Sequence, residues 1–337
     1  MSGKNRIWRL RNRPVGDITD DVLSFEEESI PVPGDGEFLF RLNYLSLDPT
    51  NRIWMSDMDQ YMPPVELNDP MRGIVCGTVI KSHHPDYAEG SIVSGLGVWA
   101  DYQIGTPQSV SPMGDTGSIP VVDAFSTFAV VGPTAYFGLL DIGQPKEGET
   151  VVVSAAAGAV GSIVGQIAKI KGCRAVGLAG TNEKCTWIKD DLGFDMAINY
   201  RTESVPETLA AACPNGIDVY FDSVGGEILD ACLKLMNFKG RISTCGLISQ
   251  YNATEPVPGP FNYGMILMQR LRVQGFIVLD FMERYPEAIA ALSQWMAEGK
   301  IKVRTEIVDG LENAPQTLKK IFTGANTGKL IIRVKGV

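Results

Sequence analysis

Ala156, Gly158 and Gly161 stand in the spacing A-x-G-x-x-G, between the apolar run Val151-Val152-Val153 and a helical repeat of Val160, Ile163, Val164, Ile167 and Ala168. Small residues at those places let backbone N–H groups at a helix start approach a pyrophosphate, and Gly161 allows close packing of helix on strand. The spacing therefore predicts dinucleotide binding by Ala157, Gly158, Ala159, Val160 and Gly161. A tight strand-to-helix turn without a ligand is the plain alternative, because a glycine motif gains weight only from its context. The choice of dinucleotide turns on the stretch after the next strand. An acid about twenty residues beyond the glycines would bind a ribose 2′-hydroxyl. That place reads Ala179-Gly180-Thr181-Asn182, followed by Lys184, Tyr200 and Arg201, and the nearest acid, Glu183, falls inside the next predicted helix. Cationic and hydroxyl donors suit a 2′-phosphate. The expected cofactor is NADP(H), with Gly180, Thr181, Lys184 and Tyr200 as contacts.

The residues that are missing narrow the reaction. The chain has two histidines, the adjacent His83 and His84 in a polar SHHPDY loop, and six cysteines without a C-x-x-C pair. A dehydrogenase zinc site draws Cys and His ligands from several segments, so no metal and no zinc are expected. Without such polarisation an unactivated ketone is a poor hydride acceptor. A conjugated alkene needs less help: hydride adds to the β-carbon and the charge spreads to an enolate oxygen, which hydroxyl or amide donors stabilise.

The elements that must position these residues form two kinds of domain. Residues 1–130 read as short strands with Gly and Pro punctuation, Glu37 to Tyr44, Arg72 to Ser82, Ser91 to Ser94 and Val98 to Ile104, a pattern for a small bent β-barrel. Two stretches, Ser46 to Asp57 and Gln60 to Pro70, read as rim loops whose Trp54, Met55, Tyr61 and Met62 line an apolar pocket, with Tyr263 added from further along. From Val130 a helix leads into residues 131–299, where strands at 151–153, 174–179, 196–200, 217–224, 241–246 and 272–278 alternate with helices. That grammar predicts an α/β fold, a Rossmann doubly wound parallel sheet, with ligand at the carboxyl ends of its strands. Ser223-Val224, Cys245-Gly246 and Phe276-Ile277-Val278 are three such ends. The tail, residues 300–337, alternates strand and helix again.

Composition supplies exclusions. At 337 residues, 45% hydrophobic and 20% charged, the chain fits an ordinary two-domain globular protein. A net charge of −9 argues against nucleic acid or an anionic membrane as partner. Val151 to Ala168 is apolar enough to pass a transmembrane scan, but its Ala, Gly and Ser content fits a buried strand-turn-helix unit better. Met1 to Leu10 carries Lys4, Arg6 and Arg9 with no apolar core, so it reads as no secretory signal. The unpaired cysteines predict a reduced, cytoplasmic chain.

The chain resembles the zinc-free branch of the medium-chain dehydrogenase/reductase superfamily, in the group of leukotriene B4 12-hydroxydehydrogenases, prostaglandin reductases, alkenal double-bond reductases and bacterial curcumin reductases. The matching residues are Leu45-Ser46-Leu47-Asp48-Pro49, Gly132-Pro133-Thr134-Ala135-Tyr136, Ala155 to Gly161, Gly193-Phe194-Asp195, Val224-Gly225-Gly226, Ser249 to Thr254 and Asn326-Thr327-Gly328-Lys329. The resemblance implies a GroES-like β-barrel completed by the tail and a homodimer joined through the sixth Rossmann strand. It implies an NADPH-dependent reductase of the C=C bond of α,β-unsaturated ketones and aldehydes. Lys184 and Tyr200 match 2′-phosphate contacts, and Thr134 and Asn326 match cofactor neighbours. Tyr251, in a Pro-rich loop after the fifth strand, matches a place from which a phenol could reach both the cofactor and the enolate oxygen; simple packing in the loop is its alternative. One departure stands out: the group commonly has Tyr directly after Asp48-Pro49, and here it is Thr50, followed by Asn51. Either the substrate is bulkier or another group donates: Asn51 or Tyr61 would compensate, with Thr50 itself a catalytic candidate. A zinc-free quinone reductase and a non-catalytic nucleotide-binding protein remain the alternative readings.

Overall fold

The computed structural model describes residues 3–334. The chain divides into two units, one running to Ala129 and resuming at Thr305, the other Val130–Arg304. The first opens with β1 (Lys4–Leu10) and β2 (Leu23–Ser29), an antiparallel hairpin with Arg6 opposite Glu27. Ion pairs such as Lys4 to Glu27, 2.6 Å, sit on its wet face, while Ile7 and Leu10 enter the core. Charged residues between the apolar ones hide this hairpin from a reading based on apolar runs.

The barrel continues with β3 (Phe38–Leu47), α1 (Thr50–Trp54), β4 (Arg72–Ser82), β5 (Ile92–Val98), β6 (Tyr102–Gly105), β7 (Val110–Pro112) and α2 (Val121–Phe128). Two expectations need correction. The strand expected to stop at Ser94 runs on to Val98, and the one expected from Val98 begins at Tyr102. Gly97, which reads as punctuation, is instead a point of close packing: a Cβ there would lie 2.3 Å from Gln103 Oε1. Ser46 to Asp57 is also not a plain rim loop. Ser46 and Leu47 end β3, and Thr50 begins α1, whose start is organised by Asp48 N–H donating to Asn51 Oδ1 at 2.8 Å.

The second unit begins with α3 (Val131–Phe137) and β8 (Thr150–Val153), and then alternates α4 (Ala159–Ile170), β9 (Arg174–Ala179), α5 (Asn182–Thr186), β10 (Met196–Asn199), α6 (Val205–Ala212), β11 (Ile217–Asp222), α7 (Gly226–Leu235) and β12 (Met236–Thr244). A short turn of helix, α8 (Met265–Met268), precedes β13 (Arg272–Gly275), and α9 (Tyr285–Ala297) follows. The parallel strands are ordered β10-β9-β8-β11-β12-β13, the doubly wound arrangement with its switch point between β8 and β11. Val151, Val152 and Val153 are fully buried, as both faces of such a sheet require. α4 ends where Gly172, φ 74°, supplies the left-handed residue beyond its cap. β12 starts earlier than expected, at Met236, because its register on β11 shifts and both Ile217–Met236 and Val219–Arg241 pair. β13 ends at Gly275 rather than Val278, since Phe276 turns its ring toward Phe221, 6.3 Å away.

The chain then returns to the first unit with β14 (Thr305–Asp309), α10 (Ala314–Thr323) and β15 (Lys329–Arg333). β15 pairs antiparallel with β3, Leu330 opposite Leu47, so the tail completes a sheet ordered β14-β15-β3-β4-β5-β7, with β6 on β3. Phe38, Leu42, Leu45, Val75, Trp99 and Ile332 fill its core.

Candidate active site

In the second unit the site is built where β8, β9, β11 and β12 end. After β8 the chain turns through Ala155, at φ 47° an uncommon conformation for a residue with a Cβ. Gly158 N–H closes the turn on the Ala155 carbonyl at 2.8 Å, and Ala156 N–H donates to the Leu178 carbonyl at 2.9 Å. A Cβ at 161 would lie 2.5 Å from the Ala155 carbonyl oxygen, so only glycine fits beneath the turn. Gly158 enters α4 in extended conformation and brings no capping side chain. The first-turn N–H groups at Ala159, Val160 and Gly161 have no intrahelical acceptor, and the helix dipole favours an anion there.

Asp222 braces the neighbouring turn from inside. Fully buried at the end of β11, its Oδ1 accepts Val224 N–H at 3.0 Å, Gly225 N–H at 2.8 Å and the Tyr220 hydroxyl at 2.8 Å. Burial pushes its pKa up against these bonds. Ser223 N–H donates to Ser154 Oγ at 2.8 Å, which ties the end of β11 to that of β8. Cys245 N–H donates to the Asp222 carbonyl at 2.7 Å, and burial pushes the Cys245 thiol up to about 12.

The end of β9 gathers hydroxyl and cationic side chains. A Cβ at Gly180 would lie 2.8 Å from the Tyr200 hydroxyl and 3.3 Å from Arg201 Nε, so both side chains reach across a bare glycine. Thr181 caps α5, its Oγ1 accepting Lys184 N–H at 3.2 Å. The buried Asn199 donates to Asn182 Oδ1 at 2.7 Å and accepts Arg201 N–H at 3.1 Å, binding the helix that carries Lys184 to the Tyr200-Arg201 turn. Hydroxyl and cationic donors thus gather at one strand end. Beyond β12, Leu247 N–H donates to the Tyr251 hydroxyl at 3.0 Å, and a Cβ at Gly246 would lie 3.0 Å from the same oxygen, so the phenol rests on that backbone.

In the first unit a hydroxyl cluster forms around α1. Thr50 Oγ1 and the Tyr61 hydroxyl are hydrogen-bonded, and Trp54 Nε1 donates to Tyr61 at 3.1 Å. The Arg72 guanidinium stacks 5.6 Å from the Trp54 ring centre and holds the Pro63 carbonyl at 2.8 Å. Burial raises the Tyr61 pKa, so the phenol keeps its proton at neutral pH.

Two family models match the chain: the N-terminal domain of oxidoreductases over residues 6–113 and a zinc-binding dehydrogenase model over residues 159–294. The chain is 46% identical to an NADPH-dependent curcumin reductase of Escherichia coli (strain K12), over 99% of this chain and 98% of that protein. It is 39% identical to prostaglandin reductase 1 of Mus musculus, over 97% and 98%. The crystal structure of CurA in complex with NADPH from Vibrio vulnificus superposes with a TM-score of 0.93 at 43% identity, covering 98% of this chain and all of that one. The chain belongs to the medium-chain dehydrogenase/reductase family, in the prostaglandin reductase/curcumin reductase group.

Against that family frame, several expected site residues take other places. Met55 is fully buried in the barrel core, and Trp54 is buried with its indole N–H turned to Tyr61 and its ring under the Arg72 guanidinium. Their side chains fill space that the bent barrel leaves beneath α1. Both ends of the Asn51 amide meet backbone, Oδ1 accepting Asp48 N–H and Nδ2 donating one N–H to the Arg72 carbonyl at 3.3 Å, so it organises the turn and keeps a second N–H. Met62 packs half-buried on the barrel core, and Tyr263 stands 66% exposed before α8. The Thr134 hydroxyl and N–H both donate to the Val130 carbonyl, at 2.8 and 2.9 Å, and Phe276 and Val278 bury their side chains; Ile277 is half-buried beside them. Asn326 Nδ2 donates to the Gly328 carbonyl at 2.9 Å.

Among the described residues no group of three or more His, Cys, Asp or Glu side chains is placed to hold a metal ion. His83 Nδ1 lies 3.3 Å from the Gly34 carbonyl, and His84 Nδ1 accepts Asp86 N–H at 3.2 Å. Sequence reasoning placed Asp222 at a strand end without giving it a role and missed Ser154 and Asn199; all three are buried and shape the turns from behind. It also passed over Asp48 and Lys329 as a pair: both lie in stretches that carry the family resemblance, yet 281 positions separate them and only the fold brings them to 2.5 Å.

Proposed function

We propose that the chain is an NADPH-dependent, zinc-independent reductase of the C=C bond of α,β-unsaturated ketones and aldehydes. The observation that carries this reading is the near-full-length similarity to a curcumin reductase and a prostaglandin reductase. The strand-end donors at Gly180 support the choice of NADPH.

The first-turn N–H groups of α4 would hold the pyrophosphate, with Ala157 and Gly158 leaving room for its approach. Lys184, Tyr200 and Thr181 would hold the 2′-phosphate. Ser223, Val224, Cys245, Gly246, Thr134 and residues 276–278 would line the remainder, and Asn326 would contribute an amide contact. When bound, NADPH supplies the hydride. As the substrate β-carbon accepts it, charge grows on the carbonyl oxygen, and a hydroxyl must donate a hydrogen bond there. Tyr251 is one candidate. The Thr50–Tyr61 pair is the other, since Trp54 already occupies an acceptor site on Tyr61 and two hydroxyls share the remaining protons. Protonation of the α-carbon then completes the saturated carbonyl product.

The same reading makes the protein a cytoplasmic homodimer. All six cysteines are free thiols, consistent with a reducing compartment, and among the described residues no single helix is long and apolar enough to cross a membrane. All four residues of β13 are exposed at the sheet edge, which an identical strand of a second copy would pair. The test is turnover: NADPH consumption with an enone should yield the saturated ketone, and Tyr251→Phe or Tyr61→Phe should slow it. Consumption with quinones alone, or tight NADPH binding with no turnover of either substrate class, would overturn the reading.

A further inference from the structure

Lys329 is a buried cation in a barrel wall. It begins β15, its side chain is 6% exposed, and its Nζ donates to the Leu47 carbonyl at 2.7 Å and to Asp48 Oδ1 at 2.5 Å. Asp48 in turn has every polar edge engaged. Its Oδ2 accepts the Ser46 hydroxyl, and its N–H donates to Asn51 Oδ1 at 2.8 Å. Asn51 passes the connection to β4 through the Arg72 carbonyl. Burial lowers the Lys329 pKa and Asp48 opposes that shift.

Two loops of the first unit meet at this ammonium. One is Asp48-Pro49-Thr50, leading into the Thr50–Tyr61 hydroxyl pair. The other is Asn326-Thr327-Gly328, which ends directly on Lys329 and is pinned by Thr327 N–H donating to Glu306 Oε2 at 2.8 Å. An ion pair taken out of water contributes little net stability, and apolar residues of similar volume commonly do as well or better. Stability alone therefore gives poor reason for a charge pair here. Its location at the shared end of β3 and β15, rather than in the middle of the barrel, gives a better one.

We propose that Lys329 is a positioning residue which, through Asp48, holds the Thr50 and Asn326 loops in one fixed register. This rests on the reading above that those two loops serve the reaction. The pair acts as a pin: the β15–β3 ladder sets the strands, and the ammonium sets how the chain leaves each of them.

The decisive variant of the full-length protein is Lys329→Met combined with Asp48→Asn, which removes both charges and leaves neither buried alone. Melting temperature, NADPH affinity and steady-state enone reduction are measured together. The expected result is a melting temperature near that of the parent and NADPH affinity within about threefold, with kcat reduced about 10- to 100-fold, the scale of a misplacement of about 1 Å at reacting groups. A folded double variant whose kcat stays within twofold of the parent overturns the proposal. If the double variant does not fold, Ser46→Ala replaces it: this removes one hydrogen bond to Asp48 without stranding a charge. There, a kcat loss of about 3- to 10-fold at unchanged melting temperature supports the pin, and unchanged kcat overturns it. Thr50→Val and Asn326→Ala, measured alongside, separate the two failures. If neither lowers kcat, the reading of the loops is wrong and the pin falls with it. If either does while the double variant does not, the loops stand and the pin alone is wrong.

Discussion

The two units hold their functional residues by opposite means. In the second, backbone forms most of the proposed cofactor surface: Gly158, Gly161 and Gly180 clear space, and buried side chains such as Asp222, Ser154 and Asn199 support the turns from behind. In the first, side chains form the surface. Thr50, Tyr61, Trp54 and Arg72 hold one another over a five-residue helix, and the buried pair Lys329–Asp48 fixes where that helix begins. A backbone cradle suits a cofactor whose phosphates never change. A side-chain cluster can be altered one residue at a time, and the Thr50 departure lies in that cluster.

Variants that attack each scaffold sharpen this contrast. The largest effect is expected at Gly161→Val, whose Cβ would lie 2.5 Å from the Ala155 carbonyl oxygen and 2.9 Å from the Ala156 Cα, both rigid backbone. It should abolish NADPH binding, read by quenching or enhancement of cofactor fluorescence; retained affinity would mean the turn can shift and the cradle is not fixed. Met55→Ala should destabilise the protein by about 2–5 kcal/mol in chemical denaturation, as expected for a fully buried side chain. Its NADPH affinity should not change, because it belongs to the other scaffold. A raised enone KM with unchanged stability would return Met55 to the pocket wall.

Lys184→Ala comes next. Loss of a charge-assisted contact should weaken NADPH by about 1.5–3 kcal/mol, roughly 10- to 150-fold, and NADH hardly at all. Equal losses for both would remove the 2′-phosphate role. The smallest effect is expected at Asp195→Asn. Burial pushes the Asp195 carboxyl up, but the Lys169 ammonium at 2.9 Å and the Ala175 N–H more than offset this and hold it below its ordinary value of 3.8. Its stabilising contribution is therefore present above that ordinary value and lost as pH falls through the depressed one. The variant should be less stable than the parent at neutral pH by up to about 1 kcal/mol, and the gap should close in acid. A gap that persisted in acid would show that packing, not charge, is what the side chain supplies.

The contrast also governs what the sequence could reveal. Fully buried parallel strands read as unbroken apolar runs, so Val151 to Val153 and Arg174 to Ala179 were legible, as was the glycine spacing of the cradle. The barrel hairpin was not, because Lys4 and Arg9 find their acids only when β2 folds back on β1, and Arg6 finds its own, Asp101 and Glu312, far away in the chain. Ser46 to Asp57 looked like a loop because it is polar and aromatic with a break at Pro49; here Pro49 precedes a helix, and the Asn51 amide oxygen holds the turn. Tyr61 was legible as a candidate, but its partnership with Thr50 and Trp54 depends on a connection with no periodic pattern to read. Interior supports such as Asp222 left no signal, since a single acid after a strand carries no mark of the backbone groups it will hold.

The central claim is a reaction at carbon–carbon, not carbon–oxygen, double bonds. The most direct test is product identification after the pure protein consumes NADPH in the presence of a medium-chain enone. The account requires the saturated ketone, with one hydrogen from the cofactor on the β-carbon. An allylic alcohol would contradict it, because that product needs a polarised carbonyl carbon as the hydride acceptor.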